Sequence, residues 1–332
     1  MSTTTPASGN GDWTRRPEGG GRVAFWLIGT FARRFGRTPA RLLLYPITLY
    51  YLAMRGPERR ASRAYLERIL GRRARLRDVA RHIHTFAATI LDRVFLLCGR
   101  FDDFEIAIEG LEALVGRAQR GEGMLLFGSH LGSFEALRAL AAKHSEVQLR
   151  IVLDKQHNPA LTGMLDALNP ELARNIIDAG QDGPSIVLAI RQAIDDGAMV
   201  AVLADRVRPG ETVEPVPFLG APAPFPLAPW LIAAVLGAPV VLVFGLYQGG
   251  RRYRLVFEPF NAGGTIARRE RERTLSQWVH RYAARLESHA RSAPFNWFNF
   301  YDFWQNDDAR IPPTAVAGAT AHDDASVARG AD

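Results

Sequence analysis

Hydrophobic and polar positions divide the chain into three regimes. Residues 1–22 carry almost no aliphatic side chains and are rich in Gly, Ser, Thr and Pro, and the stretch from Gln305 to the end has no apolar periodicity. Both are predicted to be disordered tails, 1–22 and 305–332, because neither buries enough surface to offset chain entropy. Over residues 23–100 the apolar content rises in short runs, Val23 to Ala32 and Leu42 to Met54, separated by Arg33, Arg34 and Arg37. Two helices follow within Ala61–Leu97, broken near Gly71, with Val79, Ile83, Phe86, Ile90, Val94 and Leu97 at three- and four-residue spacing. After Phe101 short β-type runs alternate with amphipathic stretches. Strands are predicted at Met124–Phe127, Gln148–Leu153, Asn175–Ile177 and Met199–Leu203, and helices at Ser133–Ala142, Pro159–Leu168 and Ser185–Ile194. Two further strands, Pro239–Phe244 and Arg252–Phe257, flank Gln248-Gly-Gly as a hairpin, and a last helix covers about Ile266–His289. The alternation predicts an α/β domain over 101–304 with a mostly parallel central sheet flanked by helices.

Charge sharpens the reading of the first regime. The whole chain of 332 residues has a formal net charge of +7, but residues 1–100 hold 19 Arg, no Lys and 6 acidic residues, whereas the remainder holds 22 basic and 28 acidic. The basic excess therefore sits with Trp26, Tyr45, Tyr50 and Tyr51 in the apolar N-terminal third. Neither apolar run reaches the roughly 20 residues of a membrane span, so residues 23–100 are predicted to be a helical region that docks on an anionic membrane surface. The aromatic residues lie within apolar runs rather than among exposed basic ones, which argues against nucleic acid as a partner. No secretory signal pattern is present, so the chain is expected to stay inside the cell, peripheral or monotopic at a membrane surface. The single cysteine, Cys98, lies in an apolar stretch and reads as a buried thiol, and no Cys/His cluster suggests a metal.

Candidate chemistry concentrates in Gly128-Ser-His-Leu-Gly-Ser-Phe-Glu135, which follows a predicted strand and opens a predicted helix. Five residues of regular helix turn through about 500°, so His130 and Glu135 meet only if His130 lies in the strand-to-helix turn that Gly128 and Gly132 permit. Glu135 is then expected to hold one imidazole nitrogen, leaving the other as a general base for a hydroxyl. The carboxyl end of a strand is where open α/β sheets place their sites. Backbone N–H groups at Gly132 and Ser133, or an Arg, are candidates for stabilising an oxyanion. His82, His84, His144 and His157 have no motif partner and read as ordinary packing or surface residues.

These residues carry a resemblance. His130-x4-Glu135 resembles the His-x4-Asp/Glu signature of the glycerolipid acyltransferase superfamily, and its Glu form looks like the late lipid A acyltransferase branch. Asp205-Arg206, Val216-Pro-Phe-Leu-Gly220, Ala221-Pro-Ala-Pro-Phe-Pro226 and Pro229 are similar to a second block of that branch, and Gly237-Ala-Pro-Val-Val241 to its next strand entry. The likeness spans about Phe25 to Trp304. It implies transfer of a fatty acyl or polyene acyl chain from an acyl carrier protein thioester to a hydroxyl of a lipid acceptor at the cytoplasmic face of the inner membrane, with His130 as base, Glu135 orienting it, and no cofactor. Lys155, Asn158 and Arg174 are the nearest counterparts of the family's middle block. Asp205 and Arg206 would contact the acceptor or position the site, or form a surface ion pair. Phe218, Gly220 and Pro226 would belong to an acyl-chain groove or a loop core. Arg206 stands where Gln is usual, a departure shared in outline with lipid A-type acyltransferases of aryl polyene and xanthomonadin-like pathways.

Two other classes remain open on sequence. One is a catalytically silent lipid-binding protein of the same fold, against which an intact His130 and Glu135 argue. The other is a serine hydrolase using Ser129 or Ser133, although Gly-Ser-His-Leu-Gly differs from the Gly-x-Ser-x-Gly nucleophile elbow.

Overall fold

The computed structural model describes residues 29–137, 147–156 and 158–304. A seven-stranded sheet has the order β1-β9-β8-β2-β5-β3-β4, built from Glu105–Glu109 (β1), Met124–Gly128 (β2), Leu149–Leu153 (β3), Ile176–Asp178 (β4), Met199–Leu203 (β5), Val240–Gly249 (β8) and Arg252–Asn261 (β9). All neighbouring pairs are parallel except β8 and β9, which form an antiparallel hairpin. Val213–Phe218 (β6) and Ala221–Pro226 (β7) form a separate antiparallel ribbon. The mostly parallel α/β architecture expected from the alternation is thus present.

Helices cover both faces of the sheet, and the period-2 alternation of the strands divides the core accordingly. Leu125 and Phe127 of β2 join Val200, Leu242 and Phe244 in one cluster, with the helices Gly56–Leu70 (α3), Ala228–Leu236 (α9) and Arg271–Ser292 (α10). Met124 and Leu126 face the opposite way, into a cluster with Met199, Ala201, Val243 and the residues Leu91, Phe95 and Leu96 of Leu76–Leu97 (α4). A strand covered on both sides needs a continuous apolar run, and Met124-Leu-Leu-Phe-Gly128 is buried throughout.

At the N-terminal side, Arg37–Leu42 (α1) and Leu44–Met54 (α2) lead into α3 and α4. Pro57 at the start of α3 and the left-handed Gly71 at its end set its limits. Asp78 closes α4 by accepting from the Arg75 backbone N–H at 2.8 Å. Arg37 anchors α1 to the catalytic layers: its guanidinium forks onto Asp92 of α4 at 2.7 and 2.8 Å, and the same carboxylate accepts from the Tyr253 hydroxyl at 2.9 Å. No helix among the described residues is long and apolar enough to cross a membrane.

The elements that pattern alone did not predict are instructive. Leu111–Gln119 (α5) and β1 are short, and β1 alternates between exposed and half-buried at the sheet edge. The ribbon β6–β7 has Pro215 opposite Pro224 and Pro217 opposite Pro222, a composition that reads as loop because proline cannot donate to a ladder. The predicted helix Ser133–Ala142 is a short 3-10 turn at Phe134–Leu137, and its remainder, with His144, lies outside the described residues, as do His157 and both predicted tails.

Candidate active site

The sheet itself brings the central pair together. β2 and β5 are parallel neighbours in a register that sets Gly128 opposite Leu203. Two residues past the carboxyl end of each strand come His130 and Asp205, so continuing that register sets them side by side. His130 Nδ1 lies 2.7 Å from Asp205 Oδ1, and the His130 backbone N–H donates to Asp205 Oδ2 at 3.0 Å. An ionised carboxylate only accepts, so Nδ1 carries the proton and Nε2 is left with its lone pair. The Nε2 atom has no hydrogen-bond partner among the described residues, and the ring is a quarter exposed.

Asp205 is fully buried, yet four donors surround it. Besides the two from His130, Trp297 Nε1 donates to Oδ2 at 3.1 Å and Asn299 Nδ2 at 3.4 Å. Burial opposes its ionisation, but the His130 imidazole with its two hydrogen bonds and the charge of Arg206 outweigh it and hold the carboxyl down at about 2. For His130 the balance runs the other way. Removal from water and the cationic Arg206 push its pKa below the ordinary value against the pull of Asp205, which favours a neutral ring near pH 7.

A strap from Asn296 to Phe303 closes over this pair. Its backbone is stitched to the His130 turn by Phe298 N–H to His130 O at 2.8 Å and Gly132 N–H to Asn296 O at 2.8 Å. The Asn296 side chain pairs with both the N–H and the carbonyl of Tyr247 on β8. Beneath the strap, fully buried His82 bridges the Ser62 hydroxyl at 2.8 Å and the Trp297 carbonyl at 2.9 Å, and burial pulls its pKa down to about 4. His82 is therefore a neutral structural link from α3 and α4 to the strap.

Glu135 does not fill the role expected of it. Its carboxylate pairs with Arg93 of α4 at 2.6 Å and accepts from the Ser133 hydroxyl at 3.2 Å, and it makes no hydrogen bond to His130. The reason is the turn: with Phe134–Leu137 wound as a 3-10 segment, Glu135 faces α4, while the neighbouring strand supplies a closer carboxylate. The oxyanion expectation is corrected as well. Gly132 N–H is committed to Asn296 O, and Ser133 N–H to Gly245 O at 2.7 Å, so both donors are occupied. This contact between the turn and β8 is so close that a Cβ on Gly132, which has φ +73°, would stand 1.9 Å from Gly245 O. Only glycine fits there.

The remaining site candidates fall into two groups. Arg206 adjoins the pair; its Nε donates to Asn299 Oδ1 at 2.7 Å and its Nη2 to Phe298 O at 2.9 Å, and burial lowers its pKa. It is bound into the strap rather than into a surface ion pair. Lys155 and Asn158 follow the carboxyl end of β3, Lys155 in the turn and Asn158 just before Pro159–Leu168 (α6) with its amide on Asp154 O, whereas exposed Arg174 ends the helix Pro170–Arg174 (α7) just before the amino end of β4, at the opposite edge of the sheet. The structure shows no contact from them to His130. Phe218 and Pro226 are buried in the β6–β7 ribbon, where Phe218 packs on Phe225, Trp297 and Phe303; Gly220 makes its turn at φ +80°. For Phe218 and Pro226 the loop-core alternative is the one the structure shows, while Gly220 is exposed at the turn. Cys98 is exposed just beyond the end of α4, not buried, because the helix stops at Leu97.

Sequence reasoning missed Trp297, Asn299 and Asn296. The signal was present as Asn296-Trp-Phe-Asn-Phe-Tyr301, a run that alternates asparagine with aromatics directly after an amphipathic helix. Buried asparagine and Trp N–H groups need partners, and here they find Asp205, Arg206 and Tyr247. Among the described residues, no group of three or more His, Cys, Asp or Glu side chains could hold a metal. A family model described as bacterial lipid A biosynthesis acyltransferase matches residues 76–306, well over half of the chain. No curated protein matches the chain.

Proposed function

This chain belongs to the bacterial lipid A biosynthesis acyltransferase family, and we propose that it transfers an acyl chain from an acyl carrier protein thioester to a hydroxyl of a lipid acceptor at the cytoplasmic face of the inner membrane. One observation carries the reading: a neutral imidazole whose Nδ1–H is fixed by a buried carboxylate and whose Nε2 has no hydrogen-bond partner among the described residues. His130 Nε2 takes the proton of the acceptor hydroxyl as its oxygen attacks the thioester carbonyl carbon. The tetrahedral oxyanion collapses, the C–S bond breaks, and the imidazolium returns the proton to the departing thiolate, leaving an ester and a free thiol. Asp205 keeps the tautomer and stabilises the transient imidazolium, the part assigned to Glu135 on sequence grounds. Arg206, cationic and next to the ring, is the candidate for stabilising the oxyanion.

Two further features support the reading. The outer face of α1 and α2 exposes Leu42, Tyr45, Leu49 and Met54, each at least 66% accessible, and Arg33 and Arg34 just before it are exposed as well. Such a face suits insertion to headgroup depth in an anionic bilayer. A serine hydrolase is disfavoured by geometry. Ser129 and Ser133 are both buried, Ser133 Oγ donates to Glu135, and among the described residues the His130 ring bonds to Asp205 and not to a serine. Arg206 in the place of the family's usual Gln favours an acceptor other than lipid A, of the kind used in aryl polyene pathways.

The test is transfer of a labelled acyl chain from carrier protein to a membrane lipid extract. His130→Ala is expected to lower the rate by about 10²–10⁴-fold, the usual worth of a general base. Full activity in that variant overturns the mechanism, and no transfer by the unaltered protein favours a lipid-binding role for the fold.

A further inference from the structure

The segment from Arg55 to Arg81 contains ten arginines against Glu58, Glu67 and Asp78, a net +7 that equals the formal charge of the entire chain. The charge gathers at the corner where α3 turns into α4. Arg68, Arg72, Arg73, Arg75, Arg77 and Arg81 are all exposed, and among them Leu76 is 57% accessible. Several of these guanidinium groups are held in place: Arg72 forks onto Asp78 at 2.8 and 3.2 Å, Arg68 lies 4.5 Å from the centre of the Trp304 ring, and Arg81 lies 4.3 Å from that of Phe295.

The corner differs from the apolar face of α1 and α2. Leu76 stands eight residues, about 12 Å of helix rise, before His84, where Thr48 of α2 meets α4. A single protruding leucine offers a bilayer only about 1.5–3 kcal/mol of burial. One apolar centre within a ring of partly fixed arginines matches the make-up of a protein interface instead, where arginine is enriched and charge sets encounter rate and orientation. The corner also backs onto the active site, since Arg81 and Arg68 rest on Phe295 and Trp304, the residues that flank the strap whose Trp297 donates to Asp205.

We infer that the α3–α4 corner, centred on Leu76 and its arginines, is the docking surface for an acidic protein partner that presents an apolar residue within a carboxylate-lined helix, namely the acyl carrier protein. This rests on the donor assigned under the proposed function. A lipid surface is the competing occupant, and the experiment separates the two.

Binding of an acyl-loaded carrier protein to the full chain is measured by fluorescence anisotropy over a range of salt, beside co-sedimentation with phosphatidylglycerol/phosphatidylethanolamine vesicles. Arg73→Glu with Arg77→Glu is expected to weaken carrier binding by about tenfold or more and to flatten its salt dependence, while vesicle binding stays within about twofold. Leu76→Ala is expected to weaken carrier binding by a smaller factor at every salt concentration. Unchanged carrier binding in the double variant, loss of vesicle binding in its place, or no carrier binding by the unaltered protein each overturns the inference. If the carrier binds through these arginines but no acyl transfer occurs, the docking surface stands and the proposed reaction fails. The two readings therefore fail separately.

Discussion

Asp205 and Asp92 are both fully buried carboxylates, each beside a cation and an aromatic donor, yet they do different work. Asp92 faces a guanidinium that never gives up its proton, and its remaining partner is the Tyr253 hydroxyl. Burial wins there: the Asp92 pKa is raised in spite of Arg37 and Tyr253. The result is a lock that ties α1 to α4 and β9. Asp205 faces an imidazole, which is able to exchange protons, and His130 together with the charge of Arg206 holds it ionised. A buried carboxylate with a permanent cation fixes structure, whereas one with a titratable ring and an open nitrogen on the far side of that ring serves chemistry. Asp205 is thus expected to control rate and Asp92 stability, and substitutions at the two sites should separate along that line.

Asp205→Asn gives the largest expected effect. The amide keeps the shape but presents an N–H toward Nδ1, which favours the wrong tautomer, and by analogy with serine protease triads kcat/KM falls by roughly 10³–10⁴-fold. Steady-state transfer assays against the unaltered protein read this directly. An activity within tenfold of normal leaves Asp205 as scaffolding only. Stability supplies an independent readout. Because the folded-state pKa of Asp205 lies below its unfolded value of 3.8, its contribution is present above that pH and disappears as pH falls toward about 2. Urea titrations of the Asn variant should therefore converge with those of the parent at the acid end.

Arg37→Ala comes next and should leave chemistry per folded molecule alone. It strands Asp92 in the core, and removing one partner of a buried pair costs about 3–5 kcal/mol. The deficit again grows with pH, but in a higher window than at Asp205. Losing Arg37 raises the folded-state pKa of Asp92 further, so the deficit is small below the unfolded value of 3.8 and grows as pH rises through the folded one. Denaturation midpoints that fall equally at pH 4 and pH 7 would remove the argument.

The same contrast explains what was legible in the sequence. Strands β2 and β5 were readable because a sheet covered on both faces demands unbroken apolar runs, and the Gly-flanked His130 was readable because it follows one of them. Asp205 was visible as the end of another, but its pairing with His130 depends on β2 and β5 being adjacent, which is topology and not local pattern. Glu135 looked like the partner because it is near in sequence; a short 3-10 turn sends it to Arg93. The strap was the hardest to read. Trp297 and Asn299 act 92 and 94 residues from Asp205, and nothing local to either marks the contact.

The smallest expected effect sharpens the account of Asp205 as a carboxylate held by several donors. Trp297→Phe keeps the ring that packs on Tyr65, Phe218 and Phe303 but deletes the Nε1–H bond to Oδ2. Loss of one hydrogen bond to a charged acceptor costs about 1.5–3 kcal/mol, so a rate decrease of roughly ten- to a hundredfold is the ceiling, with some relief if Asn299 shortens its 3.4 Å contact. A merely structural role predicts lost stability with an unchanged pH profile. A positioning role predicts a shifted one. Unaltered, His130 titrates below its ordinary value of 6.5, so kcat/KM rises with pH and levels off below that point. With one fewer donor competing for the carboxylate, Asp205 holds the imidazolium more strongly, and the acid limb of the Phe variant should move to higher pH. A limb that stays in place while the melting temperature falls assigns Trp297 to the core alone.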